Sequence, residues 1–328
     1  MSAAPAPAPR LQGELAYDAL RLGFFPWQRE RRLAKERERV KIARFSSRMI
    51  AAGYAHSLAL RIDGGIACWG HNDNGQAPPD GVDCDFVAIA AGCRHSIALR
   101  RDGGVTCWGR NDYGQAPPGG VDGEFVAIAA GNWHSLALRS DGRIACWGSN
   151  VYGRAPPDGV DGDFVAIAAG DAHSLALRRD GGVTCWGYNG EGQAPPDGVV
   201  GDFVAIAAGG DHSLALRRDG GVTCWGRNRS GQAPPDGVDG DFVAIAAGGN
   251  HSLALRRDGG VTCRGHNLEG LEDQAPPGGV DGDFVAIAAG GNHSLALRRD
   301  GGVTCWGRND DGQAPPNGVA GPFKTREL

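Results

Sequence analysis

Short apolar runs bordered by glycine recur along this chain. In the stretch beginning at Phe203, the segment Phe203 to Ala208 is apolar and β-branched at Val204 and Ile206, and His212 to Arg217 alternates large and small side chains. Val222 to Trp225 is a third run of similar length. Each run ends at glycine before three helical turns could form, so the pattern predicts strands. Arg218, Asp219 and Gly220 carry hairpin chemistry, either a two-residue Asp-Gly loop or a type I turn with glycine in the bulge. A fourth, outermost strand is expected around Gln232 to Pro234, because an edge strand leaves one side unpaired and tolerates proline.

The unit repeats. A His-Ser pair stands at His56, His95, His134, His173, His212, His251 and His293, spaced by 39 residues except for a final interval of 42. Leu271, Glu272 and Asp273 are inserted in that interval. Seven copies run from Ser47 to Pro322. Seven four-stranded antiparallel units of about 39 residues predict an all-β, seven-bladed β-propeller, with an open β-solenoid as the runner-up architecture. The small residues Ala207, Ala208 and Gly209 suit an inner strand, where blades crowd the axis. The domain reading is a disordered Pro/Ala tail at 1–10, a basic and helical extension at 11–46, the propeller at 47–322 and a tail at 323–328. Phe323 falls in the next phenylalanine slot, yet Lys324 to Leu328 do not continue the apolar strand, so ring closure is left open.

The pattern AxAAGxxHSLAL followed by DGxVxxWGxNxxGQ resembles the repeats of the regulator of chromosome condensation superfamily. The short period and the Pro-containing fourth segment are similar to the propeller-type β-lactamase inhibitory protein and to crinkly-type receptor ectodomains. The resemblance covers 47–322. It implies a seven-bladed scaffold whose partner is chosen by its loops. In similar extracellular repeats the slot of Leu214 holds a cysteine that bridges to the neighbouring strand; here every copy has Leu or Ile, so the resemblance implies no such bridge.

The chemistry-bearing residues recur with the repeat. Cys68, Cys107, Cys146, Cys185, Cys224, Cys263 and Cys305 each follow the repeat histidine by 12 residues. Radial repetition puts equivalent side chains in different blades, whereas zinc needs about four ligands converging on one point. The cysteines therefore read as small buried fillers, the histidines as blade-stabilising hydrogen bonders, and no metal or cofactor is expected. Nine unpaired thiols point to a reducing compartment; Cys84 and Cys93 lie outside the regular slot and could form one disulfide. Trp69, Trp108, Trp147, Trp186, Trp225 and Trp306 share a slot and should pack between blades. Copy six has Arg264 there, which weakens the blade unless its charge reaches solvent or pairs with Glu269, Glu272 or Asp273. A catalytic constellation would be asymmetric, and the asymmetric histidines, His71 and His266, lie in loops without a nucleophile or paired acid beside them. The chain is read as a non-enzyme with no catalytic residues.

Charge divides the molecule. The formal net charge is −5, but residues 1–46 hold ten basic and five acidic side chains, leaving −10 for the rest. Nucleic-acid binding is disfavoured for the ring and stays open only for the basic head. Residues Pro26 to Phe45 read as a helix, with proline near its start and Arg32 and Glu36 four apart. No apolar run approaches the ~18 to 20 residues of a bilayer span, so no membrane partner is expected. The expected home is cytoplasmic or nuclear, and the expected state a monomer.

Function should sit where the copies differ. In an up-and-down blade the loops from strand one to two and from three to four share a face, and most divergent positions fall in them. They place Tyr54, Arg94, Arg110, Tyr113, Trp133, Tyr152 and Tyr188 on one face of blades one to four. Aromatic residues and arginine dominate interface hot spots, so these seven are the candidate contacts for a protein partner of unknown identity. The opposite face, built from Arg-Arg-Asp and Asp-rich loops, reads as a solvated charged rim. The alternative function is a guanine-nucleotide exchange factor or regulator of a small GTPase.

Overall fold

In a computed structural model, the described residues are 30, 34, 37, 39, 48–266 and 273–325. The chain divides into two units, Met1–Glu38 and Arg39–Leu328. In the first, Glu30, Ala34 and Arg37 are helical; the other positions of the expected head helix in this unit lie outside the described residues. The Pro/Ala tail, the Arg32 and Glu36 pair, and Glu269, Leu271 and Glu272 lie outside the described residues.

The second unit holds seven antiparallel three-stranded sheets, one per repeat, which we number as blades one to seven: 50–70, 86–109, 125–148, 164–187, 203–226, 242–265 and 284–307. Blade five is representative. Phe203–Ala208 pairs with His212–Arg217, which pairs with Val222–Gly226 in the register Ser213 to Trp225 and Leu214 to Cys224. The predicted hairpin takes the bulged form: Gly220 N–H bonds Arg217 C=O at 3.0 Å, Arg217 N–H bonds Gly221 C=O at 2.8 Å, and Gly220 sits at φ +101°. A left-handed conformation of that kind costs glycine no Cβ clash.

The expected fourth strand does not form. The outer position is a single bridge, Val222 to Val238, repeated in every blade. The Pro-Pro pair supplies no N–H for a ladder, and Gly237 N–H folds back on Pro234 C=O at 2.9 Å. The Gln232 carbonyl, expected in that strand, instead faces the next blade.

The blades are joined by a closed belt of hydrogen bonds. Each repeat histidine reaches the serine of the following blade: His56 to Ser96, His95 to Ser135, His134 to Ser174, His173 to Ser213, His212 to Ser252, His251 to Ser294 and His293 back to Ser57, all at 2.8 to 2.9 Å. Every serine hydroxyl also donates to the carbonyl of the residue twenty positions earlier, except that Ser57 uses Gln313 across the closure. Its oxygen must therefore accept from histidine, which puts a proton on Nε2 of each ring; burial, with Nδ1 unpartnered among the described residues, keeps the rings neutral. All seven rings are fully buried. Burial pushes their pKa values down from 6.5 to about 3 for His56, His134, His173 and His251 and to about 4 for His95, His212 and His293.

Tryptophan adds a second inter-blade tie. The indole N–H of Trp69, Trp108, Trp147, Trp186, Trp225 and Trp306 donates to the same carbonyl of the preceding blade at 2.9 to 3.1 Å. The Cys slot lies beneath it, buried in blades two, four, five, six and seven and half-buried in one and three. Around the axis, Ala and Gly line the central channel. Glycine is obligatory at its wall: a Cβ on Gly53 would lie 2.3 Å from the His56 ring and 2.5 Å from Gly92 C=O.

Closure uses the C-terminal segment. Elsewhere the phenylalanine that opens one blade bonds the hairpin glycine of the blade before, as Phe86 N–H does with Gly64 C=O. Phe323 repeats this with Gly301 of blade seven and also bridges Arg61 of blade one. Ile62 N–H bonds Pro322 C=O at 3.0 Å and Lys324 N–H bonds Leu60 C=O at 2.9 Å. The phenylalanine slot that holds Ser47 in the sequence is thus filled by Phe323, which is buried with Ile50, Leu58 and Leu60. The ring takes in 323–324 as well as the seven repeats. Also within this unit, Arg39 is buried, its Nε donating to Phe242 C=O at 2.8 Å and its Nη2 to Asp241 at 2.5 Å.

Candidate interaction face

The divergent loops converge into two aromatic groups. In the first, Tyr113 from the loop after the third strand of blade two (the outer loop) meets Trp133 from the loop between the first and second strands of blade three (the inner loop) edge to face, with ring centroids 5.6 Å apart. Arg110 lies over the same indole at 4.8 Å from the ring centroid, in cation–π geometry. In the second, Tyr152 of blade three meets Tyr188 of blade four at 5.0 Å. Tyr113 and Tyr152 are 56% and 63% exposed, which leaves their rings available to a partner. Tyr54 is also exposed but stands at the channel rim, its backbone N–H bonded to Gly92 C=O. Arg94 is exposed, and its carbonyl accepts the Arg110 N–H at 2.8 Å. Five of the seven candidates thus come together; Tyr54 and Arg94 flank them singly.

The sequence reading missed the residue that shapes this face. In the outer loops of blades one, two, four, five and seven a glutamine Oε1 accepts the backbone N–H two positions earlier, as Gln115 does from Tyr113 at 2.9 Å. Blade three has Arg154 in that slot, and a guanidinium accepts nothing. The Tyr152 N–H loses its acceptor and the loop turns into a short 3-10 segment, Val151–Gly153. Tyr152 adopts φ +65°, the lone non-glycine positive φ among the described residues. Such a residue stores about 1 to 3 kcal/mol of strain. The signal was available as the break of the Gly-Gln repeat at Gly153 and Arg154.

Arg154 is itself buried, with Nε on Ser149 C=O at 3.0 Å and Nη2 on Ser149 Oγ at 2.5 Å. Burial lowers its pKa, opposed by the charges of Tyr152, Asp171 and Tyr113. Asp171 is exposed at the channel mouth beside Gly210, where partial desolvation by the channel wall and the like charge of Asp211 push its carboxyl up. Replacing Arg154 with glutamine should restore the sibling loop and raise stability by about 1 to 3 kcal/mol. A denaturant midpoint unchanged from wild type would refute the account of the loop.

The other face matches its reading. In blades two, four, five, six and seven the second arginine of the hairpin pairs with the aspartate that precedes its own blade: Arg101 with Asp85, Arg179 with Asp163, Arg218 with Asp202, Arg257 with Asp241 and Arg299 with Asp283. Such exposed pairs contribute little to stability. Arg264 does reach solvent and forms no ion pair among the described residues. Cys84 and Cys93 are both free thiols. The expectation that His71 lacks acids is corrected: it lies 3.4 Å from Asp73 of its own loop and 3.2 Å from Asp311, which the abutting loop of blade seven brings to it.

The regulator of chromosome condensation (RCC1) repeat matches the chain seven times, at 50–76, 86–115, 125–154, 164–193, 203–232, 242–270 and 284–313. The chain belongs to the RCC1 repeat family. Among solved structures, the ectodomain of the Physcomitrella patens receptor kinase CR4 is similar at 25% identity and TM-score 0.65, covering 79% of this chain and 72% of that one. The crinkly ectodomain of the Arabidopsis thaliana receptor kinase ACR4 gives 23%, TM-score 0.65, and 83% and 98% coverage. Prp20p from Saccharomyces cerevisiae gives 22%, TM-score 0.61, and 82% and 84% coverage; its structure was described with its binding to Gsp1p and histones. These likenesses establish an RCC1-type propeller ring. No curated protein matches by sequence. No helix among the described residues is long and apolar enough to cross a membrane.

Proposed function

We propose that this RCC1-repeat propeller is a non-catalytic protein-interaction module that grips its partner with the aromatic loops of blades one to four. The observation that carries this reading is the strained loop at Tyr152. A chain that repeats one blade almost unchanged breaks its own loop-pinning glutamine at one place, and there it spends stability to hold a tyrosine in solvent beside Tyr188. The Arg110, Trp133 and Tyr113 group beside it supplies the residue types that anchor interfaces. That Prp20p is described as binding Gsp1p and histones supports protein recognition by such rings.

With a partner captured by affinity purification and its binding measured by titration, Tyr113, Trp133 and Tyr152 changed together to alanine should weaken the complex by roughly 100-fold or more. Alanine at Arg229 and Asn250, on the same face of blades five and six, should leave it unchanged. Equal loss from both sets, or from neither, would refute the mapping. Release of bound nucleotide from a small GTPase on adding the chain would favour the exchange-factor reading instead.

A further inference from the structure

One inter-blade groove lacks the side chain that fills its siblings. Of the hydrophobic clusters between blades, the one joining blades five and six contains no tryptophan, because residue 264 is arginine. The vacancy is visible in the layer beneath. Ser252 and Ala254 are 8% and 9% exposed, whereas the matching serines and alanines of the other six blades are at 0%. An apolar crevice opens there, walled by Leu214, Val238, Ile245 and Ala254 and rimmed by Arg264.

The crevice also keeps a polar handle. In each sibling interface one backbone carbonyl accepts two donors, the serine hydroxyl and the indole N–H. At blade six, among the described residues, the Gln232 carbonyl accepts only the Ser252 hydroxyl, at 2.8 Å. Its second acceptor position faces the vacant slot. Six copies of the same walls, each holding an indole with its N–H on this carbonyl, define what the slot fits.

We propose that the crevice between blades five and six is a docking slot for the tryptophan side chain of a protein partner. The guest indole takes the place of the missing one, its N–H on the Gln232 carbonyl and its face against the apolar walls. Arg264, exposed at the rim and without an ion pair among the described residues, closes over the ring as a cation. The slot is separate from the aromatic loops of blades one to four and does not depend on their role.

The test uses the full-length chain and N-acetyl-tryptophanamide as probe, followed by amide NMR shifts and calorimetry. Saturable binding at one site is expected, with N-acetyl-phenylalaninamide about 2- to 10-fold weaker for want of the N–H donor. Arg264→Trp fills the slot from within: it should abolish binding and raise Tm by several degrees. Arg264→Ala, which leaves the crevice open, should still bind. Absence of saturable binding to wild type, equal binding by Arg264→Trp, or no rise in its Tm would each overturn the proposal. So would equal affinity for the two amides. Free indole binding tenfold more tightly than the amide would also overturn it, in favour of a small-molecule slot.

Discussion

Lowering the pH from 7 toward 5 is expected to unfold the ring in one cooperative step that takes up about seven protons. The cause is the histidine belt. Each ring is neutral, buried and committed through Nε2–H to the serine of the next blade, and its pKa is lowered from 6.5 to about 3 or 4. The folded state therefore binds fewer protons than the unfolded state throughout that window. Stability from this source is complete above about pH 6.5 and falls as the pH drops toward 4, at about 1.4 kcal/mol per pH unit for each histidine. From pH 7 to 5 each contributes a loss of about 2 kcal/mol, and together they reach on the order of 10 kcal/mol, comparable with the whole stability of a typical domain. The Arg–Asp pairs titrate lower, because their arginines hold Asp85 and Asp163 below the usual 3.8. Tryptophan fluorescence and urea midpoints across pH 4 to 8 would give the proton uptake. An uptake of one or two protons, or a transition confined below pH 4, would refute the role assigned to the belt.

The second large effect is expected at Phe323. Replacing it with alanine should cost about 3 to 5 kcal/mol, the range for truncating a buried aromatic side chain. That corresponds to a fall in Tm of roughly 10 °C for a domain of this size. The residue is 3% exposed, stacks against Trp69 at 6.4 Å and occupies the slot where blade one carries Ser47. Removing residues 322–328 should go further and open the join of blades seven and one, which limited proteolysis would detect. Removing only 325–328 should leave Tm unchanged. If Phe323→Ala melted with the wild type, closure would have to rest on the histidine belt and the strand Ile50–Ala52 alone.

Much of this was legible in the repeat. The period, the three inner strands of each blade, the position of the hairpin and the face carrying Tyr113 and Trp133 all follow from local rules that act within about forty residues. The outer strand was misread because Gln232 to Pro234 has the length of a strand but its backbone is used elsewhere: proline lacks a donor, and the Gln232 carbonyl is taken by Ser252 of the next blade. Tyr152 was singled out for its type, while the residue that displays it, Arg154, passed unnoticed because only the hydrogen bond from the sibling glutamine reveals what its replacement removes.

The sequence by itself determined the blade, since glycine spacing and side-chain alternation are local. It also determined their number and the slots at which copies six and three depart from the pattern. Only the tertiary structure decided that the histidines bond between blades rather than within them, that Phe323 completes blade one, and that an arginine at 264 leaves a crevice in the apolar layer between blades five and six. Each of these depends on a partner from a neighbouring blade, brought close by ring closure, and no periodicity along the chain encodes which carbonyl or hydroxyl will face a given side chain across that interface.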